Sequence, residues 1–381
     1  MSLLPEGLPG RVRVLPSLEE IEELAPAWNR LAQACGAPPV AAPAFLVPWY
    51  RHRARHDRTC AVAVTGRSGR LLAFLPLLIT RQRRGHLPVT ILQLATRNAW
   101  APGPGPLLDP EVPADEMAEL LAEVALSLPG WRIAEFFPLA PGSPFESALR
   151  HEVLRRRLHA VTSPPVESAE IVLAGAGTED ELLARFTRGR RQRVRRGYRL
   201  LAQGRLAARE ARSPRDLGRA LEDAFAIAER SWQGQQGTSI ASSPESRAFY
   251  REACLRLARA GQLDLWLLLE GDHPIAFDLQ AVVDGRAYRF HRGYLPERAP
   301  LGPGVILLGE ILRHHLRRGV RSCELFQPAT DDKRRWNPRT PTWHGLRIFS
   351  PRPAASLLGR IDELRHLLRR RGRGGNGSSR D

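Results

Sequence analysis

The chain has 381 residues, of which 43% are hydrophobic and 25% charged, so it can bury real cores, and its length suggests two or three domains. That composition excludes a wholly disordered protein, a collagen and a disulfide-framework miniprotein, and no apolar run reaches the roughly 18 residues of a membrane span. The net charge is +17, yet Lys333 is the single lysine among 57 basic residues. Such a bias reads as codon pressure from a GC-rich genome, leaving only the sign to interpret, an attraction for phosphates, acidic sugars or anionic lipid surfaces.

Ser17 and Glu20 have capping-box spacing, and Ile21, Leu24, Trp28 and Leu31 follow at helical period. Residues 60–64, the turn at 66–69 and residues 71–79 predict a β-hairpin, and 89–94 a further strand. A Pro/Gly loop at 101–106 leads to a helix near 115–128, a stop at Gly130 and a strand at 132–137. After a linker at 162–168, Thr178 and Glu181 form a second capping box ahead of a very basic helix over about 179–202. Ser213-Pro214 and Ser243-Pro244 start two more helices. A hairpin over 263–269 and 275–283, a strand at 286–294, the loop to Gly304, a helix, Gly319 and a strand at 321–326 complete the series.

The two halves follow one plan. Ala73-Phe74 and Ala276-Phe277 occupy the same place, as do Glu135-Phe-Phe137 and Glu324-Leu-Phe326. This predicts an internal duplication, with units at 11–162 and 169–350. The stretch 356–371 predicts an amphipathic helix that docks on the body of the protein in preference to a membrane, followed by a loose Gly/Ser tail. Cys35, Cys60, Cys254 and Cys323 lie far apart, with no CxxC pair and no short metal spacing. The expectation is no metal, reduced thiols and a cytoplasmic protein without a secretory signal.

The strand ending at Tyr294, then Arg298-Ala-Pro-Leu-Gly302-Pro-Gly304 and a helix, can cradle a diphosphate. Backbone N–H groups come close at glycines, and the helix N-terminus adds about half a positive charge. The alternative is a plain strand-to-helix turn. The loop is neither a Walker loop nor GxGxxG. It resembles a degenerate form of the acyl-CoA-binding motif Q/R-x-x-G-x-G/A of the GNAT acetyltransferase superfamily. The order of Trp28, Pro43-x-Phe45, Trp49, Leu75-Pro76-Leu77, the basic helix at 188–199, Gly302-Pro-Gly304 and Glu324-Leu-Phe with Lys333-Arg-Arg-Trp336 resembles the CelD/BioF-like, cellulose-biosynthesis-type members. These carry tandem units and are Fem-related. The resemblance covers about 11–350. Departures are Glu324 at the acid, Gln327-Pro328 in the glycine region and Asp332 ahead of Lys333.

The resemblance implies an α/β (α+β) fold of tandem GNAT-like units, each a mixed, mostly antiparallel sheet flanked by helices, the first unit degenerate. It implies acetyl-CoA or another acyl-CoA as cofactor, held by Arg298, Gly302, Gly304 and Val305 beside two parting strands. Direct transfer then needs a base and a proton donor for the thiolate. Asp278 interrupts an apolar strand and could be a base of raised pKa; the alternative is pairing with a nearby Arg. His291 and Tyr294 lie on the strand leading to the loop without sharing a face, His291 facing with Arg289 and Tyr294 with Tyr288, Phe290 excepted by a twist or bulge. Glu324 ends the next strand, and Lys333 stands where the family tends to have lysine. Lys333→Arg is expected to lower activity in a turnover assay while folding is unchanged.

The arginines at 185–199 surround their helix and suit an acidic glycan or lipid-linked acceptor, or peripheral contact with an anionic membrane at its inner face, ahead of nucleic acid. The first expected function is an acyl-CoA-dependent N- or O-acyltransferase acting on a sugar or an envelope or exopolysaccharide precursor. A Fem-like aminoacyl transferase using charged tRNA, and a non-catalytic assembly protein, are the alternatives.

Overall fold

The computed structural model describes residues 10–84, 87–95, 105–211 and 213–351. Most of the loop at 101–106 and the helix expected at 356–371 lie outside these. In the first unit the strands are β1 (Gly10–Leu15), β2 (Arg58–Gly66), β3 (Leu71–Arg84), β4 (Leu87–Leu94), β5 (Leu107–Leu108), β6 (Ile133–Leu139), β7 (His159–Thr162) and β8 (Val166–Glu167). Its helices are α1 (Leu18–Glu23), α2 (Ala25–Ala34), α3 (Pro43–Arg53), α4 (Ala114–Ser127) and α5 (Pro144–Arg155). The second unit has β9 (Glu170–Val172), β10 (Ala207–Ala211), β11 (Leu263–Glu270), β12 (His273–Val283), β13 (Arg286–Tyr294), β14 (Ser322–Glu324) and β15 (Thr342–Phe349). Its helices are α6 (Glu179–Arg185), α7 (Arg188–Ala202), α8 (Pro214–Arg230), α9 (Trp232–Gln235), α10 (Pro244–Arg259), α11 (Pro303–Arg317) and α12 (Asp331–Arg334). Among the described residues no helix is long and apolar enough to cross a membrane.

Local chemistry explains the starts. The side chains of Ser17, Thr178, Ser213 and Ser243 each accept from the amide three residues on, satisfying donors that a first turn leaves open. The basic segment is not one helix. It breaks at Phe186, which is extended and buried against Trp336, and at Thr187, whose hydroxyl donates to the Arg335 carbonyl at 2.9 Å.

The sheets run β1-β2-β3-β4-β6-β15-β7 and β10-β11-β12-β13-β14-β9. Both are antiparallel except for one parallel step, β4 beside β6 and β13 beside β14. Gln93 pairs with Glu135 there, as Tyr288 does with Glu324, so the duplicated plan holds at the level of register. Residues 342–349, expected within the second unit, pair instead in the first sheet. Phe349 faces Ile133 of β6 and His159 of β7. Strand β14 takes its outer neighbour from β9, at the very start of the second unit.

The units join where α3 lies along α10. Phe45 packs edge-on against Phe249 at 5.1 Å. Arg51 and His52 both reach Glu252, and Arg55 pairs with Glu245 at 2.7 Å. On the other side of the second sheet, α7 and α11 approach through glycines. A Cβ on Gly309 would stand 2.8 Å from Val194, and one on Gly197 would stand 2.9 Å from Ile306. Although arginines surround α7, Arg190, Val194, Gly197 and Leu200 form a buried stripe; glycine supplies proximity where side chains supply area. Gly309→Val is therefore expected to cost about 1–3 kcal/mol by overpacking, read by urea unfolding. Gly189→Ala on the same α7, with nothing within 4 Å, is expected to be near neutral.

Candidate active site

Strand β13 positions the site through a bulge. Leu279 pairs with His291 and Gln280 with Arg289, so Phe290 is the extra residue. A bulge reverses the side-chain alternation beyond it. His291 consequently shares a face with Tyr288, and Tyr294 shares one with Arg289, the opposite of the assignment by simple alternation. They remain on different faces from each other. Gly293 is required by the close approach of β12, because a Cβ there would meet the Phe277 ring at 2.5 Å.

The two faces carry different chemistry. Toward α7 and α11 the sheet holds a buried polar network. Asp278, 1% exposed, receives two Arg289 nitrogens, and Gln280 donates to it at 3.0 Å. His315 of α11 lies 3.1 Å from Gln280 and 3.3 Å from Asp264, whose other oxygen accepts from Trp266. Asp278 is thus the Arg-paired, buried carboxylate, not a free base on a half-buried strand. Registers place Cys60, Leu75, Leu77 and Leu94 of the first unit where the second has Asp264, Asp278, Gln280 and Arg289.

Past Tyr288 and Glu324, where the parallel ladder ends, β13 runs on to Tyr294 while the chain after β14 turns away. Phe326, the next residue but one, has a left-handed backbone, φ 58°, which costs energy outside glycine. Its N–H donates to Glu324 at 2.9 Å, and its carbonyl accepts from Lys333 Nζ at 2.9 Å. Burial pushes the Glu324 carboxyl up to about 7, aided by nearby Glu170. Burial, with Arg292 and Arg289 close by, pulls the Lys333 ammonium down to about 8. Both residues hold Phe326 in place. Because the folded Glu324 keeps its proton where the unfolded one has lost it, it lowers stability as pH rises from about 4.5 to about 7. Glu324→Gln is expected to be more stable than the parent at pH 8, by up to about 3 kcal/mol, and equal to it below pH 4.5, as urea titrations at the two pH values would show.

The other face opens on a cleft of about 330 Å³ between the units, bordered by Trp49 and Arg53 of α3, Tyr250 of α10, and Phe290, His291 and Phe326. The Tyr250 hydroxyl and His291 Nε2 are 2.5 Å apart. Burial and the Arg53 charge lower His291 to about 4, and burial raises Tyr250. The pair is neutral at physiological pH. His291 is the sequence-predicted catalytic candidate that lines the cleft; Tyr250 and Arg53 were not visible in the sequence pattern.

At the start of α11, Gly302 is left-handed, φ 75°. Its amide donates to Ala299 and that of Val305 to Gly302, while Pro303 has none, so the turn spends much of its N–H capacity on itself. A Cβ on Gly304 would lie 3.8 Å from the Tyr294 ring. Arg298 is half exposed and paired with Glu270 at 2.7 Å.

Residues 188–334 match the model of the acetyltransferase (GNAT) domain family. The second unit is a GNAT-type acyltransferase domain. The match runs from α7 to α12 and takes in the bulge, His291 and the α11 turn. No curated protein matches the chain. In fold it is similar to FemX, with TM-score 0.57, 12% identity and coverage of 88% of this chain and 98% of that one. It is similar also to L-PGS from Bacillus licheniformis, with TM-score 0.53, 14% identity and coverage of 91% and 97%. A C-terminal domain assigned to a lysylphosphatidylglycerol synthetase from Agrobacterium fabrum gives TM-score 0.53 at 16% identity, covering 88% and 95%. These likenesses extend over both units.

Proposed function

We propose that the GNAT-type domain transfers an acyl group from an acyl-CoA such as acetyl-CoA to an amine or hydroxyl of a sugar or an envelope or exopolysaccharide precursor, in the manner of the CelD/BioF-like branch. The observation that carries this reading is the conjunction at β13: its parting from β14 beyond Tyr288, and the Phe290 bulge that turns neutral His291 into the cleft. The pantetheine arm would lie along the parted strand, with the diphosphate at the α11 turn near Gly304, Val305 and Arg298. The acceptor enters the cleft, its nucleophile attacks the thioester carbonyl, and its proton passes to the His291–Tyr250 pair. The C–S bond would break and the thiolate would take up the proton that the His291–Tyr250 pair had received; Tyr294, on the opposite face of β13 and beside Gly304, lies at the diphosphate end instead. Such an enzyme would work in the cytoplasm, with contact at the inner membrane face through its arginines where the acceptor is lipid-linked.

Titration calorimetry with acetyl-CoA tests the donor. Saturable binding that Gly304→Val weakens is expected; no binding at high micromolar cofactor would overturn the acyl-CoA reading. A second reading, aminoacyl transfer from charged tRNA, is favoured by the two-unit likeness to FemX and by the exposed arginines 188, 193, 195, 196 and 199 on α7. A salt-sensitive tRNA mobility shift would support it.

A further inference from the structure

The cleft has a definite chemical bias beyond its general concavity. Among the described residues that line it there is no aspartate or glutamate, and its cation is Arg53. Arg53, the last residue of α3, makes no ion pair with a described carboxylate, although the basic residues at 51, 52 and 55 around it are engaged. Arg51 and His52 hold Glu252, and Arg55 holds Glu245. Those pairings take up Glu245 and Glu252, the carboxylates of α10, and leave Arg53 on the cleft wall without one. The same cleft is lined by the hydroxyl-bearing residues Thr238, Ser239, Ser242 and Ser246 and by Phe45, Phe249 and Phe290, the Phe45 ring lying 5.1 Å from each of the other two. The volume of about 330 Å³ is at the lower end for small-molecule sites.

The geometry points to an acyl acceptor that is a small molecule, or the terminus of a larger one, bearing a carboxylate or phosphate. Arg53 and the serine-rich loop at 238–242 receive the anion, its apolar part lies on the phenylalanines, and its nucleophile reaches His291. The assignment rests on the cleft being the acceptor side of the acyltransferase. Arg53 then selects among acceptors, and it does so without the donor present.

The test is calorimetric binding to the full chain with no acyl donor, using two matched pairs of probes. L-phenylalanine is compared with phenethylamine, and glucosamine 6-phosphate with glucosamine. The anionic member of at least one pair is expected to bind about tenfold tighter or more, equivalent to about 1.4 kcal/mol. Which pair shows the preference separates carboxylate from phosphate recognition. Arg53→Gln is expected to abolish it and Arg53→Lys to retain part of it, while Arg55→Gln, on a residue already paired with Glu245, leaves it intact. Equal binding within both pairs, absence of binding by all four probes at millimolar concentration, or a preference that survives Arg53→Gln would each overturn the assignment. Failure of acetyl-CoA to bind would instead count against the donor, and these measurements do not depend on it.

Discussion

Replacing Asp278 with alanine is expected to lower the unfolding free energy by about 3–5 kcal/mol, the range for breaking a buried ion pair by removing one partner. The cost comes from Arg289, left 5% exposed with its carboxylate gone and no solvent to replace it. The network would loosen with it, since Gln280 bridges Asp278 and His315. The internal duplication supplies a control. The first unit builds the same strand pair with Leu75 and Leu94 at these positions, both buried. The double replacement Asp278→Leu, Arg289→Leu is accordingly expected to recover most of the loss, because a well-packed apolar pair is often as stable as a buried ionic one. Urea unfolding of the three variants decides. A double variant as unstable as Asp278→Ala would mean that the network holds the strands in a way packing cannot replace.

His291→Ala is expected to lower kcat/KM by about a hundredfold to ten-thousandfold, the usual worth of a positioned acid–base group, with little change in urea midpoint because the side chain lines a cleft. The pH profile should be distinctive. A histidine held down to about 4 is deprotonated throughout the neutral range, so the acid limb due to it should fall near pH 4 and not near 6.5. Tyr250→Phe keeps the ring and removes the hydroxyl 2.5 Å from Nε2, and should lower kcat more than it raises KM. A profile with its limb near 6.5 in the parent, or full activity in His291→Ala, would remove His291 from the chemistry.

Much of the fold was legible because its signals are local. Capping serines, glycine stops and hairpin turns act within a few residues, and their repeated order exposes the duplication. What was not legible depends on distance in sequence. Nothing in residues 342–349 says that they pair with β6 and not with the preceding strands. The cleft arises only when α3 meets α10, so Tyr250 and Arg53 read as ordinary helix residues. The Phe290 bulge is detectable as a break in alternation, yet counting by twos across it assigns His291 to the wrong face. For Asp278 the sequence offers a base and an ion pair alike, and only the register of β12 against β13 brings Arg289 to it.

The placement of β15 has a consequence for the order in which the protein is made. The sheet edge at β6, with Phe136 and Leu139 along it, is complete long before its partner exists, because Phe349 pairs with Ile133. At about 5–20 residues per second on the ribosome, that edge waits on the order of ten to forty seconds for its neighbour. An apolar strand left open for so long invites wrong partners. The nascent first half therefore carries an unpaired β6 edge until β15 emerges.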